Sequence, residues 1–247
     1  MIVEFLGSSG AGKTTVCGLL AERLRRAGAN VVAIHHGDHA PSPLPPSLRD
    51  PDRFDIRTDL RLLPWSLMFA MRHARFVAFV LGQLTRISAP PGEKTAILRS
   101  VGRKMGLFQY LCRGKFAGAY VLVDEGILHI AHNILVSPRD LPSAKAVARF
   151  AALVPLPDRA ILLCVPVATA SARLGQRGDL SPRVRSADEL QRFLANARTV
   201  FDGLADAPRL RPALIDHDAQ NHPAGEIAAR IHEILIADRN VARGHLS

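Results

Sequence analysis

The octapeptide Gly7-Ser8-Ser9-Gly10-Ala11-Gly12-Lys13-Thr14 fits the pattern GxxxxGK[ST] without a gap, and it restricts this chain more than any other stretch. Such a pattern carries meaning only between a strand and a helix. Both flanks comply. Residues 2–6 form a short apolar run closed by glycine, which reads as a buried strand. In 13–27, Val16, Leu19, Leu20, Leu24 and Ala27 recur every three or four positions, which reads as an amphipathic helix stopped by Gly28. Glycines allow backbone N–H groups to converge on a polyphosphate, and the helix presents its positive end to it. Lys13 has the length to reach β- and γ-phosphates, and the Thr14 hydroxyl suits a magnesium ion. The segment Gly7 to Thr15 is therefore expected to cradle ATP with Mg²⁺, Gly7, Ser8, Ser9, Gly10, Ala11, Gly12, Lys13, Thr14 and Thr15 all lying against the nucleotide.

The rest of the chain continues as strands alternating with helices. Further short apolar runs lie at 31–34, 121–123, 160–165 and 213–216, and amphipathic helical patterns at 126–135, 143–153, 167–176, 187–205 and 224–237. This alternation predicts a parallel sheet covered on both faces. Five prolines between positions 35 and 51 predict an exposed loop. Residues 57–115 read as two or three helices punctuated by Pro64 and by Ala89-Pro90-Pro91-Gly92. Trp65, Phe69, Phe76 and Phe79 recur there at helical spacing and are expected in the core. At 247 residues and 48% hydrophobic, the chain can bury one sizeable core, so a single domain over 1–247 is expected.

Two more constellations carry chemistry. Val121-Leu122-Val123-Asp124-Glu125 is an apolar strand that delivers carboxylates to a sheet edge. Asp124, first after the strand, is the expected magnesium-shell acid together with Thr14, and Glu125 could polarise a nucleophile or anchor an acceptor. Arg173 and Arg177 stand four apart, so on a helix they share a face and could embrace a phosphoryl group. His35 and His36 follow the second strand, and because adjacent strand residues point to opposite faces, at most one of them faces a site there.

The order of P-loop, variable region, strand ending Asp124-Glu125-Gly126 and then Arg173-Leu-x-x-Arg177-Gly resembles the thymidylate kinase-like nucleotide and nucleoside kinases. The helix opening Ala187-Asp188-Glu189-Leu190 and the terminal Leu214-Ile215-Asp216 before a closing helix look like that family too. The resemblance covers 1–35 and 118–240. It implies a P-loop NTPase three-layer α/β/α sandwich on a five-stranded parallel sheet ordered 2-3-1-4-5, with a helical acceptor-binding insertion over 36–117. It also implies a lid over 173–187 carrying Arg173 and Arg177, with Arg183 and Arg185 as further candidates. Residues 216–220 would then lie near the purine. Two elements depart from the family: Asp124-Glu125 stands where Asp-Arg is usual, and His35-His36-Gly37-Asp38 replaces the usual acid-bearing element, in which Asp38 falls where related kinases place an acceptor-contacting acid and is therefore the preferred general base.

The net charge of +10 sits almost wholly in one place. Between Arg53 and Lys115 nine Arg and three Lys face only Asp55, Asp59 and Glu93, a local excess of nine. In a parallel α/β fold that segment borders the ligand edge of the sheet, so a basic segment there favours a small anionic acceptor. The reading that follows is an ATP-dependent small-molecule kinase acting on a nucleotide, nucleoside or sugar derivative. The alternative is a P-loop NTP hydrolase serving as a switch, with Glu125 polarising water. A nucleic-acid or glycan end kinase is disfavoured, because the segment's aromatics follow a core pattern rather than interleave with its cations. The helices of 65–113 suit a homodimer contact as well as a substrate wall. Three separated cysteines without a CxxC pair argue against disulfide or zinc and predict buried packing. Met1 leads into an apolar strand with no basic leader, and the run 62–84 is interrupted by Arg72, His73 and Arg75, so a cytoplasmic chain without a membrane span is expected.

Overall fold

The computed structural model describes residues 1–34, 56–114, 116–177 and 183–244, with Arg177 and 240–244 as backbone only. Five strands form one parallel sheet: β1 (Ile2–Leu6), β2 (Val31–Ile34), β3 (Tyr120–Asp124), β4 (Arg159–Cys164) and β5 (Leu214–Asp218). Their order is β2-β3-β1-β4-β5, as expected. The nine helices among the described residues are α1 (Lys13–Arg26), α2 (Ile56–Arg72), α3 (Ala74–Arg86), α4 (Pro91–Leu111), α5 (Ile130–Leu135), α6 (Ala144–Leu153), α7 (Val167–Arg177), α8 (Ala187–Ala205) and α9 (Ala224–Gly244). None is long and apolar enough to cross a membrane.

The strands are buried on both faces, and their two-residue period divides the core. Val32, Ile34, Val121 and Val123 join Leu62 of α2 and Leu107 and Leu111 of α4 in one cluster. Val31, Ala33, Tyr120 and Leu122 point the other way, into the cluster that holds Val16, Leu20 and Leu24 of α1 and Leu235 of α9. There the Tyr120 hydroxyl donates to the Leu235 carbonyl at 3.4 Å. Parallel register sets the functional edge. Phe5 of β1 stands opposite Asp124 of β3, so the chain leaves β1 into the glycine loop beside the end of β3.

The helical insertion departs from expectation at Pro64. α2 runs through it, and the breaks fall at His73 and at Ile87–Pro90 instead. Pro64 is exposed on the outer face of α2. The carbonyl that loses its partner there can bond water, so the ring does not have to end the helix. Pro91 opens α4, where a missing N–H costs nothing. Of the predicted aromatic core, Phe69 and Phe76 are fully enclosed, while Trp65 and Phe79 are half-buried. Trp65 instead carries the Arg113 guanidinium over its ring at 4.3 Å. The cysteines also divide: Cys17 is buried as expected, but Cys112 ends α4 in an exposed position and Cys164 is intermediate. Cys164 closes β4 at the sheet's open edge, where its thiol lies 3.4 Å from the Asp216 carboxylate.

Candidate active site

The glycine loop wraps the C-terminal end of β1. Three of its glycines have positive φ: Gly7 at 141°, Gly10 at 82° and Gly12 at 92°. At Gly7 and Gly10 space is also decisive. A Cβ on Gly7 would stand 2.5 Å from the Leu163 carbonyl, and one on Gly10 would stand 2.8 Å from the Ala170 carbonyl. The loop is thus pressed between β4 and α7, which leaves its other side for a ligand. Gly12 caps α1 with no side chain, and the first turn of α1 holds no acidic residue. Its positive end therefore faces the loop's concavity uncompensated.

Lys13 is buried and folds back over the loop. Its Nζ donates to the Gly7 carbonyl at 3.1 Å and the Ser8 carbonyl at 3.2 Å, and stands 3.1 Å from Glu125 Oε1. All three of its protons are engaged, and a bound phosphate would compete for them. Beside it the Thr14 hydroxyl donates to Asp124 Oδ2 at 2.6 Å. This hydroxyl–carboxylate pair is the hard-oxygen set that a magnesium ion prefers, with water and phosphate completing the shell. The residues expected to hold Mg²⁺ do meet.

Glu125 is over-determined. It has φ 63° without being glycine, a conformation that the surroundings must hold in place. Its N–H donates to the Phe5 carbonyl at 3.3 Å, and Lys104 of α4 donates to its carbonyl at 2.7 Å. Its side chain lies between Lys13 and His129, whose Nε2 is 3.3 Å from Oε2. Burial pushes this carboxyl up, but the ammonium groups of Lys13 and Lys104, with the His129 ring beside them, bring it well below its ordinary value. Burial holds His129 itself well below the usual imidazole range. At neutral pH it is uncharged and acts as a hydrogen-bond donor, so Lys13 and Lys104 are the cations that keep Glu125 ionised.

Behind Glu125 lies a layer that sequence reasoning missed. Glu4 of β1 is 2% exposed, and its Oε1 accepts from the N–H groups of Leu128 and His129 at 2.8 and 3.0 Å. Burial nonetheless pushes its carboxyl up to about 7. Its other oxygen is 2.9 Å from where a Cβ of Gly126 would stand, so only glycine fits beside it. His129 packs on His132 with ring centroids 4.7 Å apart, and His132 stacks on Phe201 at 6.0 Å. Burial lowers His132 to about 3, so it too is neutral. A lone charged residue in the strand Ile2–Leu6 was the available signal for Glu4. Lys104 had none, because it is one cation in a basic run.

Arg173 lies against the glycine loop. Its guanidinium donates to the Gly10 carbonyl at 3.1 Å, across the mouth of the loop. The side chain of Arg177, one turn further along α7, lies outside the described residues, as do His35, His36, Asp38 and 178–182. Arg183 is tied to the helical insertion rather than poised over the loop. It pairs with Glu93 at 2.9 Å and donates to the carbonyls of Val136 and Asn133 at 2.5 and 3.4 Å. A cleft of about 430 Å³ opens beside Gly10, Gly12 and Arg173, bounded on its far side by Gln220, Asn221 and His222. The loop after β5, expected over 216–220, thus meets the cleft slightly later in the chain. It is set by Asp218, which accepts from the Gln220 N–H at 2.8 Å and the Asn221 amide at 2.6 Å.

No protein-family model matches the chain, and no curated protein is significantly similar to it.

Proposed function

We propose that this protein is a P-loop kinase of the thymidylate kinase-like kind, transferring the γ-phosphoryl group of ATP to a small-molecule acceptor. The observation that carries the reading is the convergence of Lys13, Thr14–Asp124 and Glu125 at one sheet edge, next to an open cleft bounded by Arg173. The P-loop strand paired directly with the acid-bearing strand also supports it.

In the reaction an acceptor oxygen forms a bond to the γ-phosphorus while the bond from that phosphorus to the β–γ bridging oxygen breaks. The electron pair leaves with ADP, and the acceptor's proton passes to Glu125 and on to solvent. Glu125 is ionised and fixed by four neighbours, so it can accept a hydrogen bond from the incoming hydroxyl without rearranging. Lys13 lies close enough to exchange its carbonyl contacts for phosphate oxygens. Thr14 and Asp124 would hold Mg²⁺, which neutralises charge on the β- and γ-phosphates when bound. Arg173, anchored on Gly10, faces the same oxygens with a planar cation.

Lys13→Ala should abolish acceptor-dependent ADP release, by a factor of about 10³ or more, with an unchanged circular dichroism spectrum. Transfer at the wild-type rate by this variant would refute the kinase reading. Glu125 beside Lys13 would serve a water molecule equally well, so the hydrolase alternative stands on the same residue. Fast ATP turnover that no acceptor stimulates would favour it.

A further inference from the structure

A second cavity of about 430 Å³ lies between α4, α5 and the segment that carries Arg183 and Arg185. We propose that it receives the acceptor, and that the molecule it fits is a small alcohol with a largely apolar body and one anionic group. The word acceptor rests on the kinase reading above, whereas the cavity and its chemistry do not.

Position comes first. Ser100, on the cavity wall, precedes Lys104 by one turn of α4, and Asn133, also on the wall, follows His129 by one turn, its N–H bonded to the His129 carbonyl at 3.3 Å. Lys104 and His129 are the two residues that meet Glu125 from the insertion side. Residues four apart on a helix share a face and stand about 5–6 Å apart. The cavity therefore begins about one helical turn from each of the two residues that meet Glu125.

Lining decides the class. Pro90, Ala96 and Ile97 supply apolar wall, and Ser100 and Asn133 supply small polar groups. The Asn133 side-chain oxygen is buried and has no hydrogen-bond partner among the described residues. The charged groups are largely committed. Arg183 is engaged by Glu93 and two carbonyls, and Glu93 also stands 3.5 Å from Arg139. Of the basic residues of α4, Arg99 and Arg103 pair with Asp59, and Lys104 bonds the Glu125 carbonyl. Arg185 remains at the rim, exposed, its backbone held by Glu189 at 2.7 Å. A phosphate is ordinarily met by several charge-assisted donors. Here one exposed guanidinium stands at the rim with a carboxylate on the wall, which suits a single negative charge and disfavours a dianion.

The test uses the full chain and three probes of similar size, titrated by ligand-observed NMR: 4-(hydroxymethyl)benzoate, benzyl alcohol and ribose 5-phosphate. The benzoate is expected to bind at least about tenfold more tightly than ribose 5-phosphate. Benzyl alcohol should bind about threefold more weakly than the benzoate, and Arg185→Ala should erase that difference. Ser100→Phe fills the cavity and should abolish binding of both aromatic probes while ADP still binds at the glycine loop. If Ser100→Phe does not fold, Asn133→Ala, weakening both aromatic probes at least about threefold, takes its place. Equal or tighter binding of ribose 5-phosphate, or aromatic binding that neither cavity variant changes, overturns the proposal. ADP binding separates the two readings: failure of the wild type to bind ADP would remove the kinase reading and leave the probe results to judge the cavity.

Discussion

Glu125 shows best what a single residue does here. Its backbone is held left-handed by Phe5 and Lys104, and its side chain is divided between Lys13 and His129. Its hold on Lys13 would oppose that of a bound phosphate. Glu125→Gln removes the charge and keeps the shape, so two effects should separate. ADP should bind about three- to tenfold more tightly, because Lys13 is held less strongly. The rate of transfer should fall by about 10²-fold or more, because the hydroxyl loses its ionised acceptor. Calorimetry with ADP and steady-state kinetics check the pair. Loss of affinity together with rate would mean that Glu125 merely supports the loop. Part of this was legible beforehand: Asp-Glu after an apolar strand marks the pair, and a lysine seven residues after the strand's end marks Lys13. Which oxygen meets which nitrogen was not, since Lys104 arrives from a helix far from Glu125 in sequence, and the four-residue spacing to His129 gives a contact only once the backbone between them is set.

At the scale of elements, the insertion is built by an unusually close approach of α2 to α4. A Cβ on Gly106 would stand 2.8 Å from the Leu62 carbonyl and 2.5 Å from Ser66 Oγ. Ser66 in turn donates to the carbonyls of Leu62 and Gly102 at 3.0 and 2.8 Å, stitching the two helices together. Gly106→Val must push them apart and should cost about 1–3 kcal/mol of stability. Because Lys104 rides on α4 two residues away, the rate of transfer should fall as well. Urea unfolding and kinetics of the same preparation test this, and wild-type stability would show that the helices part freely. The alternation of strands and helices was readable from periodicity, as was the proline opening of α4. The passage of α2 through Pro64 was not, because proline's effect depends on whether its orphaned carbonyl meets water or protein. In sequence, the basic run of 53–115 reads as the wall of a site for an anionic acceptor. In the fold, Arg99 and Arg103 flank Asp59, Lys94 bonds the Thr85 carbonyl, and Lys104 reaches Glu125.

For the whole molecule, buried titratable groups on the insertion face of the sheet make stability depend on pH in two opposed ways. Glu4 has its carboxyl raised to about 7, so the folded protein binds this proton more strongly than the unfolded chain does. Its contribution is complete below the ordinary value of 4.5 and is lost as pH rises from there through about 7. His132 has the opposite sign: lowered from 6.5 to about 3, it favours the folded state above 6.5 and costs stability as pH falls through that window. Glu4→Gln keeps an acceptor for Leu128 and His129 and cannot ionise. Relative to wild type it should gain about 3 kcal/mol between pH 4.5 and pH 8, measured by urea unfolding at both. Parallel pH profiles for the two proteins would show that Glu4 does not ionise within the fold. The outer face of α2 also leaves Ile56, Leu60, Leu63, Leu67 and Met71 exposed at helical spacing.

The sequence by itself determined the strand–loop–helix start, the alternating elements and the acid at the end of β3. Each is a local pattern: a period of two or about 3.6, a glycine spacing, a carboxylate after an apolar run. Tertiary structure alone decided the company those residues keep. It brought Lys104 onto Glu125, Glu4 beneath Gly126, and Arg183 into the insertion rather than over the loop. Such contacts depend on how helices far apart in the chain pack on one sheet edge, and packing is set by the volumes and unpaired groups of both partners at once.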